Sequence, residues 1–434
     1  MSGLLIAAPS SGAGKTTVTL GLLRALSRRG LAVAPGKAGP DYIDPAFHAA
    51  ASGAPCLNFD PWGMRQELLL ANAGLHGAGR MLVIEAMMGL FDGAADGSGA
   101  PADLAAALDL AVVLVVDCAR MSQSVAALVS GYARFRDDIR VVGVILNRVG
   151  SDRHEMMLRD ALTPVGVPVL AVLRAAAGLA LPERHLGLVQ AGEHAGLEEF
   201  IDRAAAAVSQ RMDLEALIHV AGAPRAADLR NSPARLPPLG QRIAVASDMA
   251  YAFRYEHLLA GWRMAGADIT LFSPLSDEAP AVDADAVYLP GGYPELHGEK
   301  LAVAETFRNG MRAAAERGAR IFGECGGYMT LGEAVIDAEG RSHRMLGLLP
   351  LVTSFATRRR HLGYRIVRPL LGSCFTEPMR AHEFHYATIV SEGEADRLFA
   401  ARDAVGVDLG TVGLRRGTVS GSFMHLIDLA GEAA

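Results

Sequence analysis

RIFGECGGY, Arg320 to Tyr328, ends a short apolar run on a cysteine that two glycines follow at once, and the next residues through Leu331 read as helix. This is the pattern of a nucleophile elbow, in which the side chain at a sharp strand-to-helix turn projects off the sheet and glycines let the backbone crowd the turn. Cys325 is therefore the candidate nucleophile, with the helix start expected to favour its thiolate. The other cysteines, Cys56, Cys118 and Cys374, lack flanking glycines on both sides and read as structural thiols, since free cysteine is among the most buried residue types.

A thiol nucleophile needs a base, and the chain has thirteen histidines. His425 is the most suggestive, because VSGSFMHL sets it in a short strand-like segment with serine and glycine before it. LPGGYPE, Leu289 to Glu295, is a strand end followed by Gly291 and Gly292, whose backbone N–H groups are placed to hold an oxyanion. PGGYPE, GECGGY and GSFMH, in that order from Arg242 onward, resemble the class I glutamine amidotransferase domain of the cobyric and cobyrinic acid synthase type. The resemblance implies that Cys325 takes the glutamyl group as a thioester, that His425 activates it, and that Gly291, Gly292 and Gly326 form the oxyanion and glutamine-binding backbone. Many class I amidotransferases add a glutamate two residues after the histidine. Here that position is Ile427, with Asp428 next, so a full triad is not expected from the sequence.

At 434 residues the chain accommodates two or three domains. A 51% apolar, 20% charged composition with a net charge of -6 gives no reason to expect nucleic-acid or membrane binding. Four cysteines at unrelated spacings form neither a disulfide framework nor a zinc pattern, which fits a reducing, cytoplasmic interior. The N-terminus lacks the charged start and length of a signal peptide. A homodimer is expected only as the commonest arrangement of soluble enzymes.

In the first half, the apolar run Leu4 to Ala8 leads into SSGAGKTT and then a helical stretch. This is nearly the phosphate-binding loop, whose backbone amides ring a phosphate while a lysine and a hydroxyl serve the outer phosphate oxygens and Mg²⁺. Lys15 and Thr16 take those roles, with Ser11, Gly12, Gly14 and Thr17 completing the ATP-binding loop. Pro9 stands where the pattern has its first glycine, so the start of the loop differs. Further strands are expected at 31–34, 81–85, 111–117, 141–147 and 167–173. Alternation with helices implies a mostly parallel sheet with ligands at the carboxyl ends of its strands.

Polar residues cluster at those ends. KAGPDYIDPAFH, Lys37 to His48, holds Asp41 and Asp44; Glu85 ends MLVIE, and Asp92 follows in AMMGLFDG. Four carboxylates beside a P-loop suit Mg²⁺ and phosphate chemistry, since Mg²⁺ takes one or two carboxylates plus phosphate oxygens. Asn147 lies after the fifth of these strands, where an amide could hold adenine.

SSGAGKTT, KAGPDYIDPAFH, NFDPW and IEAMMGLFDG, ahead of the amidotransferase motifs, resemble the cobyrinic or hydrogenobyrinic acid a,c-diamide synthase family, whose N-terminal half is similar to dethiobiotin synthetase. The fold implied is α/β throughout, with a P-loop domain at 1–220, a linker at 221–241 and an amidotransferase domain at 242–434. The activity implied is ATP-dependent, glutamine-supported amidation of the a and c acetate groups of a corrinoid in cobalamin biosynthesis. Thr16, Asp44 and Glu85 would serve Mg²⁺, while Lys37, Asp41, Tyr42 and Asp92 would serve substrate and phosphate chemistry. Ala86 departs from the glycine often found after the strand-end glutamate. The alternatives are cobyric acid synthase-type amidation of other side chains, a partitioning-type ATPase and a degenerate binding module. Ser10 lies where partitioning ATPases carry a second lysine, and a fused thiol domain has no purpose in such a switch.

In the second domain, strands are expected at 242–246, 268–272, 286–289 and 320–322, with antiparallel additions at 346–353, 363–369 and 383–391. HEFH, His382 to His385, reads as strand, so its histidines fall on opposite faces and do not share a metal. Arg358, Arg359 and Arg360 read as a solvated run and as a docking surface for a substrate rich in carboxylates.

Overall fold

The computed structural model describes residues 2–175, 190–227 and 233–431, together with the backbone of two short strands, β8 (Glu183–Arg184) and β9 (Gly187–Leu188). The chain forms two compact units, Met1–Trp62 with Gln66–Pro233, and Gly63–Arg65 with Ala234–Ala434. Of the proline-rich stretch 221–241, residues 228–232 lie outside the described residues.

In the first unit β1 (Ser2–Ala7), β2 (Val33–Ala38), β3 (Leu57–Phe59), β4 (Met81–Glu85), β5 (Ala111–Asp117), β6 (Arg140–Val149) and β7 (Val169–Arg174) form a sheet in the order β3-β2-β4-β1-β5-β6-β7. All its pairings are parallel. The helices are α1 (Lys15–Arg28), α2 (Asp44–Ser52), α3 (Gln66–Gly77), α4 (Pro101–Leu108), α5 (Ser124–Arg134), α6 (Asp152–Leu162), α7 (Leu197–Arg211) and α8 (Leu214–Val220). Central strands of such a sheet are buried on both faces and read as continuous apolar runs, as AVVLVV in β5 does. Local signals set helix boundaries: Ser151 caps α6 by accepting the His154 N–H, and Asp152 and Glu155 occupy its first turn. With β1 between β4 and β5, the loops at its carboxyl end border a crevice where the direction of strand progression reverses.

Two strands differ from the sequence reading. β2 continues through Pro35 to Ala38 instead of stopping at Ala34, because pairing with β4 and burial outweigh the missing amide. The Pro35 carbonyl accepts a bond from His76. β3, only three residues long, pairs with Gly36–Ala38 and carries too little alternation to be found by pattern.

In the second unit β10 (Arg242–Ala246), β11 (Asp268–Phe272), β12 (Ala286–Leu289) and β13 (Arg320–Glu324) make a parallel set. The remaining strands are β14 (Ala334–Ile336), β15 (Ser342–Arg344), β16 (Leu351–Ser354), β17 (His361–Pro369), β18 (Met379–His385), β19 (Thr388–Glu392), β20 (Asp396–Asp403), β21 (Asp408–Arg416), β22 (Val419–Ser422) and β23 (Met424–Leu429). Among the described residues, the α-helices of the unit are α9 (Glu256–Met264), α10 (Gly298–Val303), α11 (Glu305–Glu316) and α12 (Gly326–Leu331). The main sheet runs β11-β10-β12-β13-β22-β21-β20-β17-β18-β23, and β15-β14-β16-β19 form a smaller one. The antiparallel additions are thus more extensive than expected, and the expected strand at 346–353 begins only at Leu351.

Pairing order and connectivity together fix the shape of the main sheet. β22 and β23 stand five places apart, which in a flat sheet is about 24 Å. Only Phe423 links them, and a one-residue link reaches about 7 Å. The sheet must therefore coil so that its far edge returns to the end of β22. That return brings β23 beside β13.

Asp428 on β23 is fully buried, and its carboxylate accepts bonds from the Arg65 backbone N–H at 2.9 Å and from the guanidinium at 3.0 Å. Removing one member of a buried pair leaves an uncompensated charge and costs about 3–5 kcal/mol. Arg65→Ala is therefore expected to lower the thermal transition of the second unit by a change of that order, measured by calorimetry. The double variant Arg65→Ala with Asp428→Ala should lose less than Arg65→Ala alone, since the buried charge has gone with its partner.

Candidate functional site

Cys325 sits between β13 and α12 with φ 47° and ψ −104°, a strained left-handed conformation for a residue with a side chain. Such strain costs about 1–3 kcal/mol and persists only where the surroundings dictate it. Here the Cys325 N–H is bonded to the Ser422 carbonyl, and its carbonyl starts α12 by accepting from Met329. The tight approach behind it requires glycine: a Cβ on Gly326 would lie 2.8 Å from the Gly292 nitrogen. The Gly292 amide therefore faces the elbow, as an oxyanion donor must.

His425 reaches the same point from β23. A Cβ on Gly291 would lie 2.4 Å from His425 Cε1, 3.2 Å from His425 Nε2 and 3.2 Å from Cys325 Cβ. Thiol, imidazole and the PGG turn thus converge on one spot, and a side chain at 291 would fill it. Cys325 and His425 are both buried. The expectation of a favoured thiolate is overturned, because burial pushes the thiol up, Glu295 adds to it, and α12 is too short to offset them. Burial likewise holds His425 well below the ordinary histidine value, with His382 and His385 adding to the effect. The resting pair is neutral thiol and neutral imidazole.

The acidic groups near His425 are not where sequence spacing looks for them. Ile427 is apolar and buried, and Asp428 is committed to Arg65. Glu324, the residue before Cys325, is buried with its Oε2 3.7 Å from His425 Nδ1. Its Oε2 accepts the Tyr288 hydroxyl at 2.7 Å, and its Oε1 accepts the Leu426 N–H at 3.1 Å. Sequence reading passed over Glu324 because adjacency to a cysteine says nothing of which side the carboxylate faces.

His382 and His385 occupy opposite faces of β18, as expected: His382 pairs with His425 and Tyr364, His385 with His361. His361, Glu383 and His385 do place nitrogen and oxygen atoms within 4.8 Å of one another. The two rings stack parallel at 4.6 Å and 4°, Arg365 holds Glu383 at 2.7 Å, and His385 Nε2 lies 3.2 Å from the other Glu383 oxygen. They line a cavity of about 400 Å³ with Tyr328, Arg359 and Arg397. Arg358, Arg359 and Arg360 are exposed. Cys56 and Cys118 are buried and Cys374 half-buried.

At the P-loop, Gly14 at φ 90° turns the chain into α1, and a Cβ there would meet the Asn147 amide at 2.3 Å. Lys15 Nζ donates to the Met88 carbonyl at 2.5 Å and to the Ser10 carbonyl at 3.3 Å. Burial, aided by nearby Lys37, pulls the Lys15 ammonium down to about 8 against the pull of Glu85. Thr16 Oγ1 donates to Glu85 Oε1 at 2.8 Å. Lys37, within β2 and not in the loop after it, bonds Glu85 at 2.8 Å and Asp44 at 2.5 Å. Burial opposes charge on all three. Asp44 and Glu85 outweigh it for Lys37 and hold that ammonium up, whereas Lys37 and His48 outweigh it for Glu85 and hold that carboxyl down. Burial, with Asp41 adjacent, pushes Asp44 up to about 6.

His48 belongs to this cluster too, a place that its spacing in KAGPDYIDPAFH does not disclose. Its Nε2 lies 2.7 Å from Glu85 Oε2, and its Nδ1 lies 3.6 Å from the Cys56 sulfur. An ionised carboxylate only accepts, so His48 carries a proton on Nε2, and its Nδ1 faces the thiol.

Other predicted residues take quieter positions. Asp41 accepts the Ile43 and Asp44 N–H groups and so anchors the start of α2. Asp92 accepts the Gly89 N–H and orders the loop whose Met88 carbonyl meets Lys15. Tyr42 is buried in the turn before α2, while Ser11 and Gly12 are exposed at the loop tip. Asn147 donates to the Ala13 carbonyl at 2.9 Å and, with Gly14, Thr17 and Arg148, borders a cavity of about 230 Å³. Met88 and Arg148 have positive φ, so non-glycine strain occurs beside the P-loop as it does at Cys325, while Asp109 and Asp277 take the same conformation at helix ends.

Residues 242–433 match the CobB/CobQ-like glutamine amidotransferase domain, and residues 4–189 match the CobQ/CobB/MinD/ParA nucleotide binding domain. Fold and site therefore define a glutamine amidotransferase joined to a nucleotide-binding domain. Full-length relatives narrow this class. The hydrogenobyrinate a,c-diamide synthase of a Sinorhizobium species is 71% identical over 438 residues, covering 100% of each chain. Those of Rhizobium meliloti and Brucella anthropi are 69% and 62% identical, covering 99% and 100% of this chain and 100% of their own. The chain belongs to the hydrogenobyrinate a,c-diamide synthase family, glutamine-hydrolysing and ATP-dependent amide-forming enzymes.

Gly291→Ala would drive a methyl group into the His425 ring, and displacements of about 1 Å at a reacting group cost about 10²-fold. Glutamine hydrolysis is expected to fall by at least that factor, while nucleotide binding, followed by calorimetry, keeps its wild-type affinity.

Proposed function

We propose that the protein converts hydrogenobyrinate to its a,c-diamide, using ATP to activate the two acetate carboxylates and glutamine as the source of ammonia. The observation that carries this reading is that one chain holds a thiol and an imidazole converging on Gly291 as well as a P-loop whose Thr16 hydroxyl meets Glu85. A carboxylate does not react with ammonia at neutral pH, so one of its oxygens must become a leaving group. Transfer of the γ-phosphoryl group makes an acyl phosphate; ammonia then attacks its carbonyl carbon and phosphate departs. The names of the relatives favour the cobalt-free macrocycle over cobyrinate, and favour the a and c groups over the side chains amidated by a cobyric acid synthase.

At the amidotransferase site, Cys325 Sγ attacks the carboxamide carbon of glutamine while His425 Nε2 takes the thiol proton. His425 returns that proton to the departing nitrogen, ammonia leaves, and water hydrolyses the remaining thioester to glutamate. The backbone amides of Gly292 and Gly326 donate to the oxyanion. Because burial keeps thiol and imidazole neutral at rest, charge separates only as the oxyanion forms, so stabilisation is directed at the transition state.

At the nucleotide site, Lys15 and the amides of Ser11 to Thr17 bracket the phosphates, and Asn147 borders the cavity that suits the base. Mg²⁺ fits the hard oxygen set of Thr16, Glu85 and Asp44, and when bound it neutralises charge on the β- and γ-phosphates. Lys37 holds both carboxylates in position, and Asp41, Tyr42 and Asp92 shape the adjoining loops for the acidic substrate.

Two variants test the division of labour. Lys15→Ala is expected to abolish both amidations, followed by the visible spectrum of the corrin, while glutamine hydrolysis continues; an undiminished diamide yield would remove Lys15 from phosphoryl transfer. Cys325→Ala is expected to lose glutamine-supported amidation yet accept ammonium salts, with a rate that rises with pH as more NH₃ is present. Parallel turnover of cobyrinate and hydrogenobyrinate decides the macrocycle.

A further inference from the structure

We propose that Glu324 is the positioning residue that orients the His425 imidazole, taking the place of the glutamate that class I amidotransferases often carry two residues after the histidine. The inference rests on the glutaminase reading of Cys325 and His425 and adds a third member to that site. Neither of the β23 positions that follow the histidine can supply the acid, because Ile427 is apolar and Asp428 is held by Arg65 through three bonds of 2.9 to 3.0 Å.

Glu324 meets the geometric requirements. Its carboxyl group is 3.7 Å from His425 Nδ1, the ring nitrogen away from the reacting spot, whereas Nε2 lies 3.2 Å from the Cβ position of Gly291. Catalytic hydrogen bonds in resting enzymes are often longer than those formed with substrate bound. The carboxyl group is also fixed from two sides, by the Tyr288 hydroxyl on β12 and by the Leu426 N–H on β23. These two strands carry the PGG turn and His425, and β13 carries the nucleophile next to Glu324. One carboxyl group therefore ties together the three strands that supply the thiol site.

The tautomer follows from this arrangement. To take the thiol proton at Nε2, neutral His425 must carry its own proton on Nδ1, facing an acceptor. Ionised Glu324 is that acceptor; protonated Glu324 would instead donate to Nδ1 and force the ring proton onto Nε2, the unproductive form. Burial pushes the Glu324 carboxyl up to about 8, so the productive form grows in as pH rises through that region. The other titratable groups facing this pair are His382 and His385 beside the imidazole, Tyr288 beside the carboxyl, and Glu295 and Glu383 beside the thiol.

Glu324→Gln keeps the shape and one acceptor oxygen for the Leu426 N–H, leaves the Tyr288 hydroxyl to turn and accept from the amide NH₂, and removes the acid. The expected result is a loss of about 10²-fold or more in glutaminase kcat, by analogy with removal of the orienting acid from a Ser-His-Asp triad. KM for glutamine should change little, and the rising limb of kcat with pH that is expected near 8 in the wild type should disappear in a variant that still unfolds in one cooperative transition. A wild-type pH profile and rate in Glu324→Gln, with Cys325→Ala inactive, would overturn the inference and leave the glutaminase reading intact. Glutamine hydrolysis surviving in Cys325→Ala would overturn both. Should the Gln variant fold poorly, ¹⁵N NMR of imidazole-labelled wild-type protein gives the answer directly. At pH 9 a proton on His425 Nδ1 supports the assignment, and a proton on Nε2 overturns it.

Discussion

The second unit depends on the backbone turn at Cys325. A residue with a side chain is held at φ 47° there because β13 must hand over to α12 within one residue while the PGG turn presses against the helix start. The strain is sustained by what surrounds it: β13 is hydrogen-bonded between β12 and β22, and the Cys325 amide is tied to Ser422. A side chain placed in this way is held to one direction by its own backbone.

Coiling of the ten-stranded sheet supplies the rest of that site. Because one residue connects β22 to β23, the far edge of the sheet is carried back to the elbow, and His425 arrives there by strand closure. The same closure brings the Leu426 amide to Glu324 and buries Asp428 beside Arg65. Burial then sets the electrostatics. The thiol is pushed up and the imidazole down, which keeps charge off both.

The first unit solves the opposite problem, since it keeps charge in a buried place at all times. Glu85 lies at the end of a central strand with no exposure, and it remains ionised because Lys37, Thr16 and His48 each contribute a bond. Burying an isolated carboxylate would cost several kcal/mol, so the cluster stands or falls as a group. Its position at the start of α1 and the carboxyl ends of β2 and β4 is where an α/β sheet of this kind offers phosphate chemistry.

The amino-acid sequence alone determined the α/β class, the sharp turn at Cys325, the P-loop and the separate identity of the two halves, because each is written in a short contiguous pattern whose local backbone geometry is nearly obligatory. GECGG admits few conformations other than the elbow, and GAGKTT after an apolar run few other than a phosphate loop. Strand ends such as Glu85 and Arg242 were legible for the same reason. The tertiary structure alone decided which carboxylate faces His425, that Asp41 anchors a helix while His48 backs Glu85, and that the Cys325 thiol is raised and not lowered. Those outcomes depend on distances between residues far apart in the chain and on how much water burial removes around them. Neither quantity is encoded in the spacing of neighbours.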